Sequence, residues 1–148
     1  MPAIRRADAT WSGDLSTGSG KVSAMTSNAF KELPVSWTAR TESAEGRTSP
    51  EELLAAAHAG CLATSVAGEL TRAGTPPERI DVTANIVMDE VEGRGHQIVE
   101  SQVRVRVRVS GIEEDAFRRV VEEADEGCPF SNLIKASAKV SIDAELEG

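Results

Sequence analysis

Two stretches of sustained alternation, RIDVTANIVMDEV (79–91) and HQIVESQVRVRVRVSG (96–111), constrain this chain more than any other feature. Side chains on a strand point to opposite faces in turn, so a period of two over such lengths predicts two long strands, each with one apolar row. The EGRG segment between them, residues 92–95, is a tight glycine-containing connection and makes the pair an antiparallel hairpin. In VRVRVRV, Val103, Val105, Val107 and Val109 share one face and Arg104, Arg106 and Arg108 the other. The arginine row reads as a solvated sheet face rather than a nucleic-acid strip, because the chain as a whole carries a formal net charge of -8.

The valine row needs cover, and two amphipathic stretches offer it. Ser49 stands as an N-cap with Pro50 at the first helical position, Glu51 and Glu52 in the first turn, and Glu52 placed to complete a capping box. The helix should run to Arg72, where Gly74 and the TPP of 75–77 stop it. Its first half, with Ala55, Ala56, Ala57, Ala59 and Gly60, is small-sided, which suits close packing against another element. A second helix over 112–127 puts Ile112, Ala116, Phe117, Val120, Val121 and Ala124 on one face. Pro129 starts a short helix over 129–135 with Cys128 as its N-cap, and a final strand follows over 137–147. Near the N-terminus, short alternating patterns at 7–12, 20–27 and 34–41 (PVSWTART) predict three strands. The order β-β-β-α-β-β-α-β with antiparallel pairing defines an α+β fold with helices on one face of a sheet, in a single domain over 1–148.

Aromatic residues make up 3% of the chain and tyrosine is absent, so the core is aliphatic and chemistry that needs a tyrosine is excluded. The acidic balance opposes nucleic acid and anionic membrane as partners and suits a small-molecule ligand. Arg5 and Arg6 are followed by no apolar h-region, and no stretch approaches eighteen uninterrupted apolar residues; the expectation is a soluble cytoplasmic protein.

In a reducing compartment the two cysteines, Cys61 and Cys128, are buried small hydrophobes, metal ligands or redox-active thiols. His58, three residues before Cys61, shares its helical face and permits a Cys-His pair or, with Cys128, part of a zinc site. Zinc is disfavoured by the lack of a CxxC knuckle, and no cofactor is implied. A thiol in mid-helix gains little from the helix dipole, and desolvation raises its pKa, so Cys61 needs a neighbouring cation to react.

TSPEELLAAAHAGC followed at a distance by GCPFSNLIKA resembles the osmotically inducible protein C and organic hydroperoxide resistance family. The resemblance extends from ATWSGD and GKVS through WTARTE to the final strand, and histidine at 58 favours the osmotically inducible branch. It implies a thiol-dependent peroxidase forming an intertwined homodimer, with antiparallel sheets wrapped around long central helices. It further implies Cys61 as the peroxidatic thiol, Cys128 as the resolving thiol in an intrachain disulfide, Arg40 as the cation beside the thiolate and Glu51 as the carboxylate that orients Arg40. Arg47 is a rival for Arg40, and Glu52 has a separate duty as the capping acid. The partners so implied are a hydroperoxide, a dithiol or other thiol reductant, and a second copy of the chain. An apolar lining from Leu62, Val66, Phe130 and Leu133 would favour alkyl hydroperoxides. A thiol sensor or disulfide reductase with the same cysteines, and a non-enzymatic module that binds an apolar ligand, are the alternatives.

Overall fold

The structure is a computed structural model that describes residues 1–147; Gly148, the end of the expected domain, lies outside the described residues. The chain divides into two compact units, Met1–Leu53 and a second from Leu54 onward.

In the first unit, β1 (Ala7–Ser12), β2 (Ser19–Ala24) and β3 (Leu33–Val35) form an antiparallel sheet in that order. Asp14 shapes the β1–β2 turn by accepting from the Thr17 amide at 2.8 Å and its hydroxyl at 2.7 Å. Gly20 pairs with Trp11, and a side chain there would collide with the Trp11 ring and the Thr10 carbonyl, so glycine is required by close approach. The third strand is shorter than the alternation of 34–41 predicts. Ser36 breaks it, its hydroxyl accepting from the Ala39 amide at 3.1 Å, and a one-turn helix α1 (Trp37–Thr41) follows. A hydroxyl that can cap outweighs the strand propensity of so short a segment.

Helix α2 (Pro50–Arg72) has the bounds its caps predict. Ser49 Oγ accepts from the Glu52 amide at 3.1 Å, while the Glu52 carboxylate takes the Thr48 hydroxyl at 2.7 Å and thus secures the residue before the cap. Gly74, at φ +82°, ends the chain's helical run in the left-handed region. By length and composition α2 is apolar enough to cross a membrane. Its buried stripe is His58, Leu62, Val66 and Leu70, one residue in every four, and its alanine-rich remainder stays partly exposed.

The second unit holds the hairpin of β4 (Arg79–Val91) and β5 (Gly95–Arg108), then α3 (Glu114–Glu126), α4 (Pro129–Lys135) and β6 (Lys139–Glu147). Sheet order is β4-β5-β6, and β6 pairs parallel to β5, which corrects the expectation of wholly antiparallel sheets. Parallel neighbours need a crossover, and α3 with α4 supplies it. The register stacks Ile80, Val107 and Leu146, then Val82, Val105 and Ala144, then Ala84, Val103 and Ile142 as apolar rungs. Leu62, Val66 and Leu70 of α2 and Phe117, Val120, Val121 and Ala124 of α3 pack in one cluster with the buried valines. On the opposite face Arg104 pairs with Glu145 at 3.3 Å and Arg106 with Glu147, a solvated ion-pair row as the charge balance suggested.

Candidate active site

Cys61 lies in the middle of α2 and Cys128 at the N-cap of α4. Glycine-ended α3 delivers Cys128, whose amide donates to the Asp125 carbonyl at 3.1 Å, and Pro129 starts the next helix at once. The two sulfurs, 67 residues apart in sequence, lie 3.1 Å apart as free thiols in hydrogen-bond contact. A disulfide needs about 2.05 Å between sulfurs, so a movement of about 1 Å would join them.

The pair is electrostatically asymmetric. Burial pushes the Cys61 thiol above its ordinary value and the Cys128 sulfur adds to this, against opposition from the Phe130 amide and the Ser65 hydroxyl. Burial also works against ionisation of Cys128, but the Ser131 amide, the Cys61 thiol, the Ser131 hydroxyl and the Phe130 amide together bring it below its ordinary value. Within one subunit the two thiols are therefore shifted in opposite directions, Cys61 away from ionisation and Cys128 toward it.

His58 is fully buried and is not a partner of Cys61. Its Nδ1 lies 2.7 Å from Ser101 Oγ and its Nε2 2.7 Å from Ser131 Oγ, so both ring nitrogens are satisfied by serines 43 and 73 residues away. Sequence reasoning missed both serines. Ser101 had one signal, as a polar residue on the valine-bearing face of β5.

Arg40 and Glu51 come together in the first unit. Arg40 Nε donates to Glu51 Oε1 at 2.9 Å and Nη2 to Oε2 at 3.0 Å, while the guanidinium sits 5.6 Å from the centre of the Trp37 ring. Arg47 instead pairs with Glu45 at 3.0 Å. Trp11, Leu15, Val35, Trp37 and Pro50 line a hollow of about 310 Å³ with Arg40 on its wall. The alternating reading of 34–41 had hidden this cluster by placing Trp37 and Arg40 on a strand.

The lining expected around Cys61 is only partly present. Leu62 and Val66 are fully buried in the core, and Leu133 is 65% exposed, whereas Phe130, like Cys61, is partly buried and packs against the core. The groove that opens at Cys61 within the second unit is instead bordered by Thr64, Ser65, Gly68, Glu69 and Arg72 of α2 and by Ala124, Gly127 and Pro129. Leu133 misses because α4 turns that side outward.

Two free thiols in contact, one at mid-helix and one at a helix cap, define a thiol redox protein on an α+β scaffold. The OsmC-like protein family model matches residues 41–143, and the chain belongs to that family. It is 34% identical over 147 residues, 99% of each chain, to Peroxiredoxin OsmC of Escherichia coli. It is 25% identical over 96 residues, 64% of this chain and 65% of the other, to an organic hydroperoxide resistance protein of Xanthomonas axonopodis. Among solved structures, an organic hydroperoxide resistance protein OsmC of Legionella pneumophila superposes with a TM-score of 0.72 at 21% identity, covering 97% of this chain and 99% of that one. An OsmC-like protein from Vibrio cholerae gives 0.74 at 15% identity, covering 96% and 100%. The protein is a peroxidase-type redox enzyme.

Proposed function

We propose that the protein reduces organic hydroperoxides to alcohols, with Cys61 as the peroxidatic thiol and Cys128 as the resolving one. The contact of 3.1 Å between their sulfurs carries this reading. The Cys61 thiolate attacks the hydroxyl-bearing oxygen of the peroxide, the O–O bond breaks, and the alkoxide leaves and is protonated to the alcohol. Cys61 is then a sulfenic acid. The Cys128 thiolate attacks its sulfur, hydroxide leaves as water after taking up a proton, and the intrachain disulfide protects Cys61 from over-oxidation. A dithiol returns both cysteines to thiols.

Because the groups around Cys61 in its own unit raise its pKa, the cycle needs a cation from elsewhere. Arg40, held in orientation by Glu51, has the required chemistry: a guanidinium keeps its charge and stabilises both the thiolate and the departing alkoxide. Glu51 and Cys61 are ten residues apart on α2, about 15 Å along the helix axis, so the Arg40–Glu51 pair serves the Cys61 of the partner subunit in a homodimer. The partly exposed alanine-rich faces of α2 supply a surface for the second copy, in preference to a bilayer. The hollow beside Arg40 supports an alkyl group as the remainder of the substrate. Net charge of -8 supports a role without nucleic acid.

Mass measurement after one equivalent of cumene hydroperoxide tests the proposal. Loss of two hydrogens with a Cys61–Cys128 linkage on mapping is expected, followed by steady turnover once a dithiol is added. An unchanged mass refutes the redox assignment, and a disulfide without turnover would leave a thiol sensor.

A further inference from the structure

Two contacts cross the same gap in the second unit, one helical turn apart. The Cys61 and Cys128 sulfurs meet at 3.1 Å, and His58 Nε2 meets Ser131 Oγ at 2.7 Å. His58 precedes Cys61 by three residues on α2, and Ser131 follows Cys128 by three at the start of α4. Each contact therefore joins the same two elements, about 4.5 Å of helix rise from the other. Ser101 of β5 holds the second ring nitrogen, Nδ1, at 2.7 Å, and His58, Ser101 and Ser131 are all fully buried. Cys128 caps α4 with no side-chain hydrogen bond to the helix, so the place of its sulfur follows from where α4 lies. Core packing alone does not ask for this run of polar residues. Ser101 stands where the valine row of β5 would continue, between Ile86 and Val140 on the neighbouring strands. Aliphatic side chains would fill the space without a desolvation cost, but they can slide past one another. A hydrogen bond between buried groups holds one register.

We infer that His58 and Ser131 are positioning residues for the disulfide: their hydrogen bond is a strut that sets the register of α4 on α2 and keeps the Cys128 sulfur about 1 Å short of bonding distance to Cys61. This rests on the resolving role proposed for Cys128. Ser101 steadies the same ring but belongs to β5, not to the element that carries Cys128. A neutral imidazole offers one donor and one acceptor, and each serine hydroxyl can turn to match, so the strut is made in either tautomer. Once Cys61 is a sulfenic acid, the S–S bond forms as the S–O bond breaks. The hydroxyl leaves as water, its second hydrogen being in net the one that Cys128 gives up, and no further oxidant is consumed. A second peroxide competes for that sulfenic acid and would carry it to sulfinic acid. The strut acts on this competition by raising the effective concentration of Cys128 at Cys61.

The test compares Ser131→Ala with Ser101→Ala. Each removes one 2.7 Å bond from the same buried ring, but only Ser131 lies on the element that carries Cys128. In mixtures of oxidised and reduced dithiothreitol, Ser131→Ala should need a ratio about tenfold more oxidising than the wild-type protein to hold half of its cysteine pairs as disulfide, and Ser101→Ala should match the wild type. With excess cumene hydroperoxide, Ser131→Ala should give about tenfold more sulfinic acid relative to disulfide, read by mass as a gain of two oxygens against a loss of two hydrogens. His58→Leu, which keeps bulk and loses the bond, should behave as Ser131→Ala and supplies the measurement if that variant does not fold. His58→Gln, whose amide can bond to both serines, should return most of the wild-type ratio. Dithiothreitol ratios that coincide in Ser131→Ala, His58→Leu and the wild type overturn the strut. Equal shifts in Ser131→Ala and Ser101→Ala overturn it too, because they mark a general loss of core order. The dithiothreitol equilibrium involves no peroxide, so a shift confined to Ser131→Ala and His58→Leu, with no peroxide-driven disulfide in the wild type, would keep the strut and refute the resolving role.

Discussion

Arg40 grips Glu51 with two parallel hydrogen bonds, Nε to Oε1 at 2.9 Å and Nη2 to Oε2 at 3.0 Å. Glu51 is the more buried partner, with 12% of its side chain exposed against 35% for Arg40, so the carboxylate acts as the anchor and the guanidinium as the presented group. A planar fork fixes direction as well as charge, which an ammonium on a flexible stem does not. Arg40→Lys should therefore lower kcat/KM for cumene hydroperoxide by about a hundredfold although the charge is kept. Arg47→Ala, which removes only the partner of Glu45, should change it less than about twofold. Steady-state rates for the two variants decide between the arginines.

The two cysteines should fail differently. Cys61→Ser abolishes turnover, whereas Cys128→Ser reacts once and then accumulates sulfenic or sulfinic acid, seen as a gain of one or two oxygens in the mass of the protein. Normal dithiol-supported turnover by Cys128→Ser would exclude it as the resolving thiol.

If the hollow lined by Trp11, Leu15, Val35, Trp37 and Pro50 takes the alkyl group, shortening its wall should be felt only by bulky substrates. Trp11→Ala should raise KM for cumene hydroperoxide roughly tenfold and leave hydrogen peroxide reduction as it was. An equal effect on both substrates would point to a role in folding rather than in specificity.

Buried His58 also makes stability depend on pH. Its pKa is below the ordinary 6.5 in the folded chain because burial penalises the imidazolium. The unfolded chain therefore binds more protons just below pH 6.5, so stability is complete above that value and falls as pH drops through it. Asp14 and Asp81, whose pKa values are held below 3.8 chiefly by Thr17 and by Arg79, contribute stability that is lost only on further acidification. The unfolding midpoint in urea should decline between about pH 6.5 and 5, and His58→Gln should remove that decline. Ser101→Ala, which orphans His58 Nδ1, should cost about 1–3 kcal/mol at neutral pH.

What the sequence disclosed was local. The bounds of α2 and α4 follow from Ser49, Gly74, Cys128 and Pro129, and the hairpin from strict alternation about EGRG, because caps and period-two patterns act within a few residues. Residues 34–41 were misread because Ser36 can cap a helix or sit in a strand with little difference in energy, and a five-residue helix carries too little periodicity to decide. Parallel pairing of β6 with β5 depends on how far the α3–α4 crossover travels, which no local pattern encodes. The serines that hold His58 arrive from β5 and α4, and only the folded core brings them to it. Both cysteines and the Arg40–Glu51 pair were legible through a family resemblance, not through spacing.

Sharing of the active site between chains gives the sharpest prediction. Glu51 lies about 15 Å along α2 from Cys61 of the same chain, a separation that a rigid helix cannot close. Two α2 helices packed antiparallel about a two-fold axis would set the first turn of one beside the middle of the other, and the small residues Ala55, Ala56, Ala57, Ala59 and Gly60 would let them approach closely. Cys61→Ser lacks the thiol and Glu51→Ala lacks the anchor of Arg40, so each alone should be nearly inactive. Unfolded together and refolded, they should form mixed dimers in which one site combines an intact cysteine with an intact glutamate from the other chain, while the second site has neither. Statistical mixing makes about half of all dimers mixed, each with one good site of two, so activity should return to roughly a quarter of wild type. Mass spectrometry of the intact assemblies measures the mixed fraction independently. Mixed dimers without recovered activity would show that each site is built within a single chain.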